Sequence, residues 1–300
     1  MNWMLMICSL LMTAPVALFA QPGAVHAHDS FSTQDSWQMN TAAGAPYQIT
    51  VTRVGNAPAH GYPVLYILDG DAYAPLAAAE ARIEAGHAIE ESYLLVSIGY
   101  PATQLFDQHR RQFDDTTRWT DLEAAAREHV DAANTGGAAA FAHFIVQDLR
   151  TEIARRYVVD PARQSLFGHS LGGLFVLHVL MEDPGAFAFY AAASPSAWWN
   201  HEEIFAQAEV YAREHKQMPR LQISVGEYEQ KLSPAEVLRP EAERRQAKLK
   251  ARHMVDSAAR LAALLHAHLV IVPEADHVGS VPEALRLALQ VAFMHGADAK

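Results

Sequence analysis

An α/β fold, with a mostly parallel central sheet covered by helices on both faces, is predicted for this chain by three observations. Strand-like and helical segments alternate along most of its length. Two early runs, "YPVLYIL" (62–68) and "SYLLVSIG" (92–99), are almost continuously apolar, as in strands buried on both sides. A third run, "QSLF" (164–167), passes through a glycine-flanked turn straight into an apolar helical segment. The chain has 300 residues, half of them hydrophobic, which is enough for one large domain with a single core.

The elements follow in order. Residues 1–27 contain no Asp, Glu, Lys or Arg. Their apolar part runs from Trp3 to Ala20, is interrupted by Pro15, and is followed by small residues ending "VHA" at Ala27. This reads as the signal peptide of an exported protein, periplasmic or secreted, with a signal anchor as the competing reading because a basic leader is missing. The single cysteine, Cys8, lies inside this segment, so the mature chain, 28–300, needs no disulfide and has no cysteine nucleophile. After a polar stretch, "YQITVTRV" (47–54) alternates as a strand does. The two apolar strands flank a helix over 72–86. Residues 100–137 then form a long excursion, read as a lid or substrate-binding insertion because such segments in compact domains are usually functional. In 138–157, Phe141, Ile145, Leu149 and Ile153 fall at steps of four and predict one amphipathic helix. Further strands are expected at 164–168, 187–194, 220–226 and 267–273, with helices over 171–183, 201–215, 235–266 and 281–295.

The stretch Gly168-His169-Ser170-Leu171-Gly172 fits G-x-S-x-G between a buried strand and a helix. That context suits a nucleophilic serine projected above the sheet on a strained turn, with both motif glycines giving room for the turn. The bland alternative is a helix-capping serine. A serine hydroxyl needs a base to take its proton, and in this arrangement acid and base follow it in chain order. Of 16 histidines, His277 stands on the loop after the last strand; His266 and His268 lie before or within that strand, and His169 and His178 flank the serine on the wrong elements. Glu229, on the loop after "RLQISVG", is the favoured acid, with Glu227 its rival, Asp276 too close to His277 in sequence, and a Ser–His dyad also open. Acyl transfer also needs two donors for the oxyanion. The Leu171 amide is one, and the Asp71 amide, on the loop "LDGDAY" (68–73), is the other; Asp69 and Asp71 also suit helix capping.

Four segments together, "YPVLYILDGDAY", "GGAAAFAHFIVQDLRTEIARRYVVDPARQSLFGHSLGGLF", "SPSAWW" and "ADHVGSVP", resemble the esterase D and siderophore esterase branch of the α/β-hydrolases over roughly residues 60 to 295. The resemblance implies an α/β-hydrolase domain and exported serine-esterase activity. It also implies a substrate of the catecholate trilactone type, enterobactin or salmochelin, opened to release iron. In it the serine corresponds to Ser170 and the histidine to His277. Arg111, Arg110 and Arg118 are expected to hold an anionic ferric complex, and Trp198 and Trp199 to stack on its rings. Alternatives are an esterase or thioesterase for another substrate, such as an acylated sugar or a feruloyl ester, and a non-catalytic binding protein on the same fold. No cofactor or protein-bound metal is expected, and His266-x-His268 is taken as ordinary spacing. The net charge of −11 argues against nucleic acid as a partner, since phosphates need clustered cations. The expected partner is a small-molecule ester, with no stable membrane insertion after signal cleavage.

Overall fold

A computed structural model describes residues 32–41, 46–87, 89–101 and 104–294. The signal-peptide reading of residues 1–27, with Cys8, lies outside the described residues. The strands are β1 (Ser32–Asn40), β2 (Pro46–Val54), β3 (Tyr62–Ile67), β4 (Tyr93–Gly99), β5 (Val159–His169), β6 (Phe189–Ala193), β7 (Arg220–Gly226) and β8 (His268–Val272). They form one sheet in the order β1-β2-β4-β3-β5-β6-β7-β8. Pairing is antiparallel from β1 through β2 to β4 and parallel from there on. The mostly parallel sheet is therefore present, with an antiparallel edge.

Both faces of the sheet are buried, which explains the unbroken apolar runs. Val64, Tyr66, Leu94, Val96 and Leu166 point to one side. Leu65, Ile67, Leu95 and Phe167 point to the other. On that second side lie α1 (Gly70–Glu84) and α10 (Val281–Phe293), the latter offering Leu285, Leu289 and Phe293 at a helical step. The opposite side carries α4 (Ala138–His143), α5 (Arg150–Arg156), α6 (Leu171–Glu182), α7 (Trp199–Glu214) and α9 (Met254–Leu265). Two short helices, α2 (Gln108–Asp114) and α3 (Leu122–Arg127), and α8 (Ala242–Arg252) complete the set.

Three local readings are corrected. The polar stretch after residue 27 contains β1, an edge strand exposed over 32–36, in which only Trp37 and Met39 are half-buried against the core. The helix expected over 138–157 is interrupted by a π-helical segment, Phe144–Leu149, between α4 and α5. The helix expected over 235–266 is two, α8 and α9, separated by His253 in a left-handed conformation at φ 30°. The described residues of the excursion 100–137 carry α2 and α3 and bury Trp119, Thr116 and Thr135.

Candidate active site

Ser170 joins β5 to α6 with φ 62° and ψ −115°. That conformation costs a non-glycine residue about 1–3 kcal/mol and survives only where its surroundings enforce it. Here the Ser170 amide donates to Ala193 O at 2.9 Å, and its carbonyl accepts from the amides of Leu174 (3.0 Å) and Ser196 (3.1 Å). A Cβ on Gly168 would lie 2.3 Å from the Gly172 carbonyl, and one on Gly173 2.6 Å from the Ala193 carbonyl. A Cβ on Gly172 would meet nothing nearer than Leu68 Cδ1 at 3.4 Å. The steric demand thus falls on Gly168 and Gly173, and not on both glycines of the motif.

The loop after β8 brings His277 to this turn. The Ser170 hydroxyl lies 3.0 Å from His277 Nε2, and His277 Nδ1 lies 2.6 Å from Glu229 Oε2. Glu229 is 2% exposed, and its other oxygen accepts from the Ser194 hydroxyl (2.5 Å) and the Gly226 amide (2.7 Å). A carboxylate so buried needs such donors, and they leave one oxygen to face the imidazole. Glu227 points elsewhere, to Lys231 Nζ at 2.6 Å and the Glu274 amide at 2.8 Å. Asp276 folds its own turn by accepting from the amides of Val278 and Gly279. With Nδ1–H turned to a carboxylate, Nε2 is left as an acceptor for the serine proton.

Of the two expected amide donors, Leu171 heads α6, where a helix leaves N–H groups without intrahelical partners. Leu171 also lines the cleft above Ser170. Asp71 lies in the first turn of α1, where Asp69 has φ 50° and Asp71's carboxylate accepts from the Tyr100 amide at 3.1 Å. It is not among the cleft-lining residues. The expected cap by Asp69 is absent; both of its oxygens are taken by the Arg111 guanidinium, at 2.9 and 2.8 Å.

That pair shows how Arg111, expected to hold an anion, is placed. It touches the cleft, yet it is 7% exposed and committed to Asp69, with Asp115 at 4.0 Å. Arg110 is also engaged away from the cleft: its guanidinium packs over Tyr47 and Tyr100 and donates to Pro46 O and Asp114. Arg118 donates to Thr135 O. Trp199 also touches the cleft, but it is 2% exposed and packs edge-on to Trp119. Trp198 does line the cleft, beneath the Arg252 guanidinium, whose central carbon is 3.9 Å from the ring centre.

The cleft has a volume of about 360 Å³ and holds Ser170 and His277 in its lining. No group of three or more His, Cys, Asp or Glu side chains suited to a metal occurs among the described residues.

The model of the family described as "Putative esterase" matches residues 37–260 of this chain. The chain belongs to that esterase family. It is 35% identical over 193 residues to the ferri-bacillibactin esterase BesA of Bacillus subtilis, covering 61% of this chain and 66% of that protein. It is 34% identical over 250 residues to the siderophore triacetylfusarinine C esterase of Aspergillus fumigatus, covering 77% and 81%. The siderophore hydrolase EstB from Aspergillus nidulans superposes with a TM-score of 0.76 at 26% identity, over 94% of this chain and 98% of that one. The protein is therefore an ester hydrolase of the α/β-hydrolase superfamily, and its expected fold class holds.

Three features of this esterase's site escaped sequence reasoning. His169 is more than a flank of the serine: its Nε2 lies 2.9 Å from the His277 carbonyl and its Nδ1 2.9 Å from the Tyr73 hydroxyl. Burial pushes its pKa well below the ordinary histidine range, so the ring is neutral, accepts from Tyr73 and donates to His277. Ser196 lies 3.3 Å from the Ser170 hydroxyl. Finally, Arg245, Lys248 and Arg252 bring one face of α8 to the cleft. The signal was present in "AERRQAKLKARH", where 245, 248 and 252 share a helical face.

Proposed function

We propose that this protein is an exported serine esterase that hydrolyses the ester bonds of catecholate siderophore trilactones and so releases their iron. The observation that carries the reading is the run of hydrogen bonds Ser170–His277–Glu229, opening into a cleft beside Trp198. The substrate class draws on the names of the relatives, which act on bacillibactin, triacetylfusarinine C and other siderophores. Export draws on the sequence of residues 1–27 alone.

In the reaction His277 Nε2 takes the Ser170 proton as the hydroxyl oxygen attacks an ester carbonyl. Glu229 keeps Nδ1–H in place and stabilises the imidazolium that forms. The Leu171 and Asp71 amides receive the oxyanion. The imidazolium then protonates the departing alkoxide oxygen as the ester C–O bond breaks, which releases the alcohol end and leaves an acyl group on Ser170. Water attacks that acyl group with His277 again as base, the carboxylic acid departs, and the serine recovers its proton. In a trilactone the first cycle opens the ring and later cycles shorten it.

The test is incubation with an enterobactin-type trilactone and mass spectrometry of the products. Each hydrolysed ester adds one water, and linear products are expected, with a loss of about 10⁴-fold or more in Ser170→Ala. Simple aryl esters cleaved while the trilactone stays intact would remove the siderophore substrate and leave the esterase.

A further inference from the structure

The chain carries a net charge of −11, yet one wall of its cleft is cationic. Arg245, Lys248 and Arg252 line the cleft at Ser170, and all three also line a neighbouring groove of about 500 Å³. Glu128 and His129 are shared as well, so the two hollows are continuous across this wall. The groove adds Arg127 and Arg244, which makes five cations against two carboxylates, Glu128 and Glu241. Part of this charge is already answered. Arg252 pairs with Glu128 at 3.2 Å, and Arg245 with Glu236. Lys248 has no such partner among the described ion pairs, and the Arg252 charge is the main cause that pulls its ammonium below the ordinary lysine range. The Arg252 Nε is buried without a hydrogen-bond partner. A cluster of like charges held together at the mouth of a site is an electrostatic defect that an anion repairs.

We infer that the α8 wall, with Lys248 and Arg252 at its centre, is an anion subsite that makes this esterase select strongly anionic esters over uncharged ones of the same shape. The inference rests on the Ser170 cleft being the hydrolytic site. Applied to the proposed substrate, it assigns the iron form. Free catechol hydroxyls, like tyrosine with its pKa of about 10, stay largely protonated at neutral pH, so an iron-free tris-catechol carries little charge. Ferric iron displaces those protons, and three dianionic catecholates around a trivalent metal leave a trianion. The wall therefore favours the iron-loaded trilactone, and Trp198 under Arg252 offers a ring face beside it.

The experiment measures kcat/KM for two charge pairs. One is the ferric against the iron-free trilactone. The other needs no siderophore: 8-acetoxypyrene-1,3,6-trisulfonate, a trianionic ester, against uncharged 1-acetoxypyrene. At roughly 10 mM salt the wild type is expected to prefer the anion in each pair, Lys248→Gln to lower that ratio about tenfold, and Lys248→Glu about a hundredfold. In wild type the preference should shrink by a similar factor at roughly 0.5 M salt, a readout that needs no variant. A ratio near one in wild type, or a ratio that neither Lys248→Glu nor salt moves, overturns the inference. Intact trilactones alongside a charge preference in the pyrene pair that Lys248→Glu abolishes would instead overturn the siderophore substrate and leave the anion subsite standing.

Discussion

Glu229 and Glu227 lie two positions apart on one turn, yet their surroundings separate them. Glu229 is buried against Ser194, Gly226 and His277, while Glu227 faces Lys231 and the Glu274 amide. Glu229→Gln keeps an acceptor for the Ser194 and Gly226 donors but presents an amide to His277, so kcat on any ester is expected to fall about 10³- to 10⁴-fold. Glu227→Gln is expected to change kcat less than about threefold, since exposed ion pairs contribute little. Steady-state kinetics of the two variants side by side checks this. His169 gives a pH prediction. Its depressed pKa leaves it neutral in the native state, while the unfolded chain protonates it below about pH 6.5. The unfolded state then binds more protons, so stability falls as pH drops through that value, by up to about 1.4 kcal/mol per pH unit for this one group. Denaturant titrations between pH 7 and 5 should show a shallower fall in His169→Gln than in wild type. Ser170, His277 and Glu229 were legible because chain order and loop position point to them. The pairing of Arg111 with Asp69 was not legible, because the two are 42 positions apart and no local pattern marks a contact of that span.

At the scale of elements, the turn from β5 into α6 depends on backbone atoms passing closer than side chains permit. Gly168→Ala sets a methyl 2.3 Å from a carbonyl oxygen of the neighbouring turn, which cannot yield without moving the elbow. The expected cost is about 3 kcal/mol or more, whereas Gly172→Ala should cost under about 1.5 kcal/mol. Urea unfolding of both variants measures the difference, and equal costs would show that the elbow does not need this approach. Strands and helices of the interior were readable from periodicity because burial imposes it. β1 was not, since this edge strand is exposed over 32–36 and only Trp37 and Met39 alternate inward, too short a pattern to mark a strand. The π-helical segment Phe144–Leu149 leaves the four-residue apolar step of Phe141, Ile145, Leu149 and Ile153 intact in sequence, so that step predicts a helix and hides the wider turn.

For the whole molecule, the parallel sheet explains why residues more than a hundred positions apart meet. β5, β6, β7 and β8 run side by side, and the segments after their C-terminal ends carry Ser170, Ser194, Glu229 and His277 in turn. Such edges are where open α/β sheets bind ligands. The alternation of elements made that layout readable. The cationic wall was legible only in part: residues 245, 248 and 252 share a helical face in the sequence, but no local pattern shows that this face meets the cleft. The reading of the whole rests on Ser170 being a nucleophile that His277 activates. A fluorophosphonate reagent tests it directly, because an activated serine displaces fluoride from phosphorus and keeps the phosphonyl group. Peptide mapping by mass spectrometry after inhibition should find one equivalent of label, on Ser170, and at least a hundredfold slower labelling in His277→Ala. Full ester hydrolysis by an enzyme left unlabelled at Ser170, or inactivation that tracks modification of another residue such as Ser196, would contradict it.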